Sequence, residues 1–217
     1  MTARSYRSPR RETQARQTRA RIIAAAARGF LARGYSGTTM RAVAADAGVA
    51  LPTVELAFGT KARLLKAVID VAIAGDDDHA AMLERPWAAR AESTADPAEF
   101  VAAFARQLTV SAGRAAGLTA AALEGARADQ DIAEVAAQLM SQRQVMAAWL
   151  VDGILLRSAP GGRASGRASR DAAVDTVWAL MDPVIFCRLT ENRGWTPDQF
   201  QRWFTDTVTR VLLPAGP

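Results

Sequence analysis

The sequence is poor in the residues on which metal and redox sites depend. Its 217 residues include one cysteine, Cys187, and one histidine, His79. A single cysteine cannot form an intramolecular disulfide, and these two side chains are too few ligands for a zinc or haem site. We therefore expect no metal and no cofactor, and we interpret the acidic run 76–78 beside His79 as a solvated turn.

Motifs that indicate catalysis are also missing. The sequence contains no Gly-x-Ser-x-Gly elbow and no phosphate-cradling glycine loop, and His79 is the only histidine that could activate a nucleophile. An enzyme would need paired acid and base groups or an activated nucleophile. We predict that the protein is not an enzyme.

Long hydrophobic runs are absent as well. Asp70, Asp152, Asp182 and Arg188 interrupt the most apolar stretches before they reach the roughly 18–20 residues that a membrane helix needs. The charged N-terminus has no apolar signal core before Ile22. We expect a cytoplasmic protein without a membrane partner.

Positive charge is concentrated at the N-terminal end. Residues 1–70 contain thirteen lysines and arginines against four acidic residues, whereas the remainder contains 14 basic and 18 acidic residues. A polyanion-binding domain attached to a neutral or acidic body shows this asymmetry, because neutralised phosphates supply the sequence-independent part of DNA affinity. From charge alone, a solvated basic segment without a partner is the alternative.

The apolar residues recur at three- and four-residue spacing, which predicts an all-α protein. An arginine-rich arm over residues 1–15 is too polar to fold alone, and it either orders in a DNA minor groove or stays disordered. A first helix is predicted to end at Gly34, and a capping box at Asp96 opens a second helical region. A second capping box at Thr196 opens the last helix, and Asp182-Pro183 is predicted to kink the helix before it. The further predicted segments are helices over 118–128, 131–156, 170–191 and 197–213, an irregular junction over 75–95, and a mobile loop over 158–169.

The stretch 38–65 has the spacing of a helix of about eight residues, a glycine turn and a second short helix, which is a helix-turn-helix. Val43, Ala44 and Ala47 can face inward, and Gly48 permits the tight turn. The second helix would then enter a major groove. A generic three-helix bundle is the alternative.

Several ordered motifs in this region resemble the DNA-binding domain of TetR-family regulators over residues 16–76. They are Gly29-Phe30, Gly34-Tyr35, Thr38-Thr39, Val43-Ala44, Ala47-Gly48-Val49 and the segment 58–65. The resemblance implies an all-α homodimer with an N-terminal three-helix DNA-binding domain and a C-terminal helical regulatory and dimerisation domain over 96–217. The last two helices would form a four-helix bundle between subunits.

The resemblance also implies residues that contact double-stranded operator DNA. Thr38, Thr39 and Lys61 match positions that commonly hold phosphates. Ala50 and Glu55 depart from the family, which usually has a serine cap and a tyrosine there. Glu55 either accepts a hydrogen bond from cytosine or is a solvated or salt-bridged residue. The predicted DNA-binding set is Thr38, Thr39, Arg41, Leu51, Thr53, Val54, Glu55, Thr60 and Lys61, of which Val54 also fits a core position.

Apolar and aromatic residues at helical spacing in the C-terminal region fit either an effector pocket or an ordinary core. Embedded polar residues could orient a small-molecule effector. The candidate pocket residues are Phe104, Gln107, Leu108, Gln142, Met146, Trp149, Trp178 and Asp182.

The predicted function is a transcription repressor that a small-molecule ligand releases from a pseudo-palindromic operator. An activator or a ligand-independent regulator of the same family is compatible with the same residues. A non-catalytic helical adaptor with a nucleic-acid-binding arm is a further alternative, against which the ordered helix-turn-helix argues.

Overall fold

The computed structural model describes residues 9–78, 80–158 and 167–213. Helices and turns account for these residues, and no strand occurs among them, so the predicted all-α class is confirmed. The predictions for residues 1–8 of the arm, for His79 and for 159–166 of the loop lie outside the described residues.

Ten α-helices occupy the described ranges. In chain order they are α1 (Pro9–Arg33), α2 (Met40–Ala47), α3 (Leu51–Phe58), α4 (Lys61–Ala74), α5 (Pro86–Glu92), α6 (Pro97–Gly125), α7 (Gln130–Arg157), α8 (Arg167–Leu180), α9 (Pro183–Cys187) and α10 (Pro197–Leu212). A 3₁₀ turn at Met82–Glu84 precedes α5, and a π-helical turn at Arg188–Asn192 follows α9.

The chain divides into two compact units that are each discontinuous in sequence. The first contains residues up to Asp70 together with Ala121–Val135, and the second contains Val71–Ala120 together with the chain from Ala136 onward. The sequence suggested contiguous domains over 16–76 and 96–217. Residues 121–135 lie too far along the chain for local patterns to assign them to the N-terminal unit.

The predicted arm is shorter than expected, because α1 begins at Pro9 and already includes Arg10 and Arg11. A proline fits the first turn of a helix, and Glu12 in that turn complements the helix dipole. The arginine, glutamine and alanine residues that follow are good helix formers. Residues 9–15 are therefore helical in the structure.

The C-terminal helices also differ from the predicted segments. Helix α6 continues without a break through the predicted helix start near residue 118, since Gly113 and Gly117 each cost only about 1 kcal/mol in a helix rich in alanine and leucine. The predicted helix 170–191 is wrong as one element. It breaks at Asp182, whose carboxylate accepts a 2.8 Å hydrogen bond from the Val184 amide, and Pro183 then opens α9. The predicted kink at this pair is confirmed.

The core of the second unit is built around five rings, which we term the aromatic cluster: Trp87, Phe100, Phe104, Trp149 and Phe204. Phe104 lies with its ring centroid 6.2 Å from Trp87 and 6.1 Å from Phe204. Phe100, Phe104 and Phe204 are almost fully buried. The predicted capping box at Thr196 is confirmed and starts α10, which brings Phe204 to the cluster.

Among the described residues, no helix combines the length and apolar character that crossing a bilayer requires. Within the same ranges, no group of three or more histidine, cysteine, aspartate or glutamate side chains is arranged to hold a metal ion.

Candidate nucleic-acid interface

Helices α2 and α3 form the predicted helix-turn-helix. The Thr39 hydroxyl caps α2 by accepting a 3.1 Å hydrogen bond from the Ala42 amide. Gly48 ends α2 in the left-handed region at φ 64°, which a residue with a side chain rarely adopts. Ala50 precedes α3 without a side-chain cap, and Pro52 lies in the first turn of α3. These local signals fix a tight connection between the two short helices.

The inner faces of α2 and α3 pack in the core of the first unit. Ala44 and Ala47 are buried on α2, and their small side chains permit close packing. On α3, Val54 and Phe58 are buried one turn apart, and the Arg19 guanidinium lies 4.8 Å from the Phe58 ring centroid. This packing fixes the rotation of α3 about its own axis.

The rotation of α3 decides which residues can meet DNA. Val54 is 0% exposed, so it occupies the core position that the sequence also allowed and its side chain is not presented to a base edge. Leu51 and Thr53 are half-buried, whereas Pro52 and Glu55 are exposed.

Leu56 is 89% exposed and is absent from the residues predicted from the sequence. Successive helical residues are about 100° apart, which places Leu56 opposite the face formed by Val54 and Phe58. The four-residue spacing of these two apolar residues could have revealed this phase. The sequence also allowed Leu56 to be a core residue, because leucine is usually buried.

Exposed polar groups lie at the helix starts next to α3. Arg41 is exposed in the first turn of α2, beside the exposed cap Thr39. Thr60 is exposed before α4, where its hydroxyl accepts a 3.2 Å hydrogen bond from the Arg63 amide. Hydroxyls and cations at helix starts are suitable phosphate partners.

Two side chains that were predicted to contact phosphates make interactions within the protein. Thr38 is 0% exposed and its hydroxyl donates a 2.9 Å hydrogen bond to the Gly34 carbonyl, so this side chain is part of the core and is not presented to a phosphate. The half-buried Lys61 donates a 3.0 Å hydrogen bond to the Tyr35 carbonyl. Its ammonium also lies 3.9 Å from the centroid of the Tyr35 ring. Lys61 therefore fixes the start of α4 on the loop before α2.

Tyr35 connects this loop to the second segment of the same unit. Its buried ring stacks on Phe30 at 6.3 Å, and a Cβ atom on Gly125 would lie only 2.9 Å from the ring. Its hydroxyl donates a 3.0 Å hydrogen bond to Asp129. Burial raises the pKa of the Tyr35 phenol above its usual value, and the Asp129 carboxylate raises it further. Sequence reasoning missed this contact, which spans 94 residues of chain.

The structure places four of the candidate effector residues at or near the aromatic cluster. Phe104 and Trp149 belong to the cluster, and Leu108 and Met146 pack against the same core. Gln107 instead donates a 3.1 Å hydrogen bond to Ser111, and Gln142 is exposed on α7.

Trp178 and Asp182 belong to a separate group with Arg143. The Arg143 guanidinium lies 4.0 Å from the Trp178 ring centroid and donates a 2.8 Å hydrogen bond to the Asp182 carboxylate. Four of the candidate residues thus lie in an apolar group and two in a charged group of the second unit, whereas Gln107 and Gln142 belong to neither.

Residues 22–68, which contain the helix-turn-helix, match the family model of "Bacterial regulatory proteins, tetR family". Over this segment the chain is similar to the TetR family. TetR-family proteins are DNA-binding transcription regulators and not enzymes, and the match places residues 22–68 with their DNA-binding domain. A comparison with curated proteins gave no match.

Solved transcription regulators share the fold over most of their length. FadR from Bacillus subtilis, solved with stearoyl-CoA, has 16% identity and a TM-score of 0.66, covering 89% of this chain and 98% of that one. NalD, the secondary repressor of the MexAB-OprM efflux pump in Pseudomonas aeruginosa, has 19% identity and a TM-score of 0.66, covering 92% and 97%. A regulator from Saccharomonospora viridis, solved with choline, has 16% identity and a TM-score of 0.65, covering 91% and 98%.

Proposed function

We propose that this TetR-family chain is a cytoplasmic repressor that binds a pseudo-palindromic operator as a homodimer and leaves it when a small molecule binds the second unit. The observation that carries the proposal is the exposed outer face of α3, which has Leu56 at its centre and the locked residues Val54 and Phe58 on the opposite side. A helix held in this way can enter a major groove without rearrangement of its domain.

Apolar residues near the C-terminus support the homodimer. Val174 and Val177 on α8 are buried within the subunit's own core. Other apolar residues of α8 to α10 and of the π-helical turn remain partly exposed, and a second copy would cover them: Trp178, Met181, Val184, Ile185, Leu189 and Val211. Two identical subunits read two half-sites about 34–36 Å apart or a multiple of that distance, which explains why the operator should be pseudo-palindromic.

Val211→Glu is expected to convert the dimer to a monomer at micromolar concentration, because it introduces a charge into the proposed apolar interface. Val211 is 44% exposed in the single chain, so the substitution should leave the subunit folded. Sedimentation velocity measures the result. Val145→Glu, at a valine of α7 that is 56% exposed, is the matched control and should remain dimeric. A wild-type protein that sediments as a stable monomer would contradict the proposal.

Arg41→Ala is expected to weaken binding to the operator and to random duplexes alike. The exposed Arg41 at the start of α2 is proposed to contact a phosphate, so its loss should reduce the slope of log affinity against log salt by about one unit. Fluorescence anisotropy at several salt concentrations measures this slope. Arg106→Ala removes an exposed arginine of α6 and should leave the slope nearly unchanged. An unchanged slope in Arg41→Ala would remove Arg41 from the interface.

The aromatic cluster supports an apolar effector with at least one hydrogen-bond acceptor. Within the described ranges, no group accepts a hydrogen bond from the buried Trp87 Nε1, and such a donor costs free energy until it is satisfied. FadR and the choline-bound regulator are proteins of this fold that bind small molecules of different chemistry. Fold alone therefore does not choose the effector.

A thermal-shift screen followed by operator titration tests the effector. An effector must both raise the melting temperature and lower operator affinity, because the two ligands are thermodynamically linked. Transcription in vitro from an operator-bearing promoter distinguishes the repressor from the activator. If the added protein increases transcription, repression is wrong; if no ligand changes operator affinity, the regulator is ligand-independent.

A further inference from the structure

The exposed face of α3 offers almost no group that can donate a hydrogen bond to a base. Between Leu51 and Phe58 the only polar side chains are the Thr53 hydroxyl and the Glu55 carboxylate. Guanine is usually recognised by arginine or lysine donating to O6 and N7, and adenine by asparagine or glutamine. Helix α3 has none of these four residue types, and the Glu55 carboxylate can only accept.

The centre of the same face carries an apolar side chain that the protein core does not use. The core below α3 is already filled by Val54 and Phe58, and Leu56 projects away from them at 89% exposure. The neighbouring exposed residue one turn earlier is Pro52, which is also apolar. In the major groove, the apolar group that distinguishes one base pair from another is the C5-methyl group of thymine.

We propose that Leu56 is a specificity-determining residue that contacts a pyrimidine C5-methyl group, thymine in an unmodified operator, in each half-site. The inference rests on the proposed function, because it requires α3 to lie in the major groove of operator DNA. The exposed Arg41 and Arg63 next to α3 supply positive charge for the flanking phosphates, so an apolar residue can occupy the centre of the contact.

Deoxyuridine tests the contact directly, because it lacks the C5-methyl group and keeps the hydrogen-bonding pattern of thymidine. The operator is first selected from random duplex DNA with the full-length protein at one stated salt concentration. Each thymidine of the selected operator is then replaced in turn. Burying one methyl group corresponds to about a fourfold loss of affinity per half-site, and to about fifteenfold when both half-sites are substituted.

Leu56→Ala identifies the side chain that makes the contact. This variant should bind the thymidine and deoxyuridine operators equally at the sensitive position. Leu156→Ala removes a leucine that is 84% exposed on α7 and should keep the full discrimination. Circular dichroism should show the same melting curve for both variants, because both side chains are exposed.

The outcomes separate this inference from the proposed function. Wild-type protein that binds all deoxyuridine operators as tightly as the thymidine operator overturns the role of Leu56 and leaves the repressor intact. If Leu56→Ala still discriminates between the thymidine and deoxyuridine operators, another residue makes the methyl contact and the role of Leu56 is also overturned. Failure to select any duplex contradicts the proposed function, and the inference fails with it.

Discussion

Phe104→Ala is expected to lower the free energy of unfolding of the second unit by about 3–5 kcal/mol, the cost typical of deleting a buried phenylalanine ring. Phe104 is 1% exposed, and its centroid lies 6.2 Å from that of Trp87 and 6.1 Å from those of Trp149 and Phe204. The substitution would leave a cavity at the centre of the aromatic cluster. Urea denaturation followed by tryptophan fluorescence measures the change, since Trp87 and Trp149 report on the cluster itself.

Leu156→Ala is the matched control for this prediction. It also shortens an apolar side chain, but its site is 84% exposed, and exposed substitutions usually change stability by less than about 0.5 kcal/mol. A loss in Phe104→Ala no larger than that of the control would show that Phe104 is not packed as described. If an effector binds at the aromatic cluster, Phe104→Ala should also change the affinity for that effector, since the residues that line the effector site would change.

Tyr35→Ala is expected to lower the free energy of unfolding of the first unit by about 3–5 kcal/mol. The variant would lose the stack on Phe30, the close contact with Gly125 and the ring under the Lys61 ammonium. Hydrogen exchange of the amides in α2 and α3 measures the opening of this unit. Operator affinity should fall together with the stability of the first unit, because α3 packs on the same core.

Tyr35→Phe separates the ring from its hydroxyl. This variant keeps the ring contacts and loses only the 3.0 Å hydrogen bond to Asp129, whose partly exposed carboxylate is also solvated by water, so its loss should cost much less than loss of the buried ring. Tyr35→Phe should therefore retain most of the stability that Tyr35→Ala loses. Equal losses in the two variants would assign the effect to the hydroxyl rather than to ring packing.

Local patterns predicted much of the helical organisation. The left-handed Gly48, the cap at Thr196 and the break at Asp182 each depend on residues within one turn of one another, so short-range rules suffice. Charge asymmetry and the order of the motifs over 16–76 indicated DNA binding, and both can be found from the sequence without a structure. Residues 9–15 show the limit of these rules, because an arginine-rich polar composition fits both a disordered arm and a helix.

The sequence by itself determined the fold class, the helix-turn-helix and the resemblance of residues 16–76 to the TetR family, because these follow from periodicity, caps and an ordered set of motifs. Only the tertiary structure decided which side chains are available at the candidate interface. Burial is a property of packing between distant segments. Thr38 and Val54 are buried in the core, and the Lys61 ammonium donates a hydrogen bond to the Tyr35 carbonyl. The same packing fixes the rotation of α3 and so exposes Leu56. The spacing of Val54 and Phe58 fits this phase, but only the packing shows that these two residues, and not Leu56, fill the core.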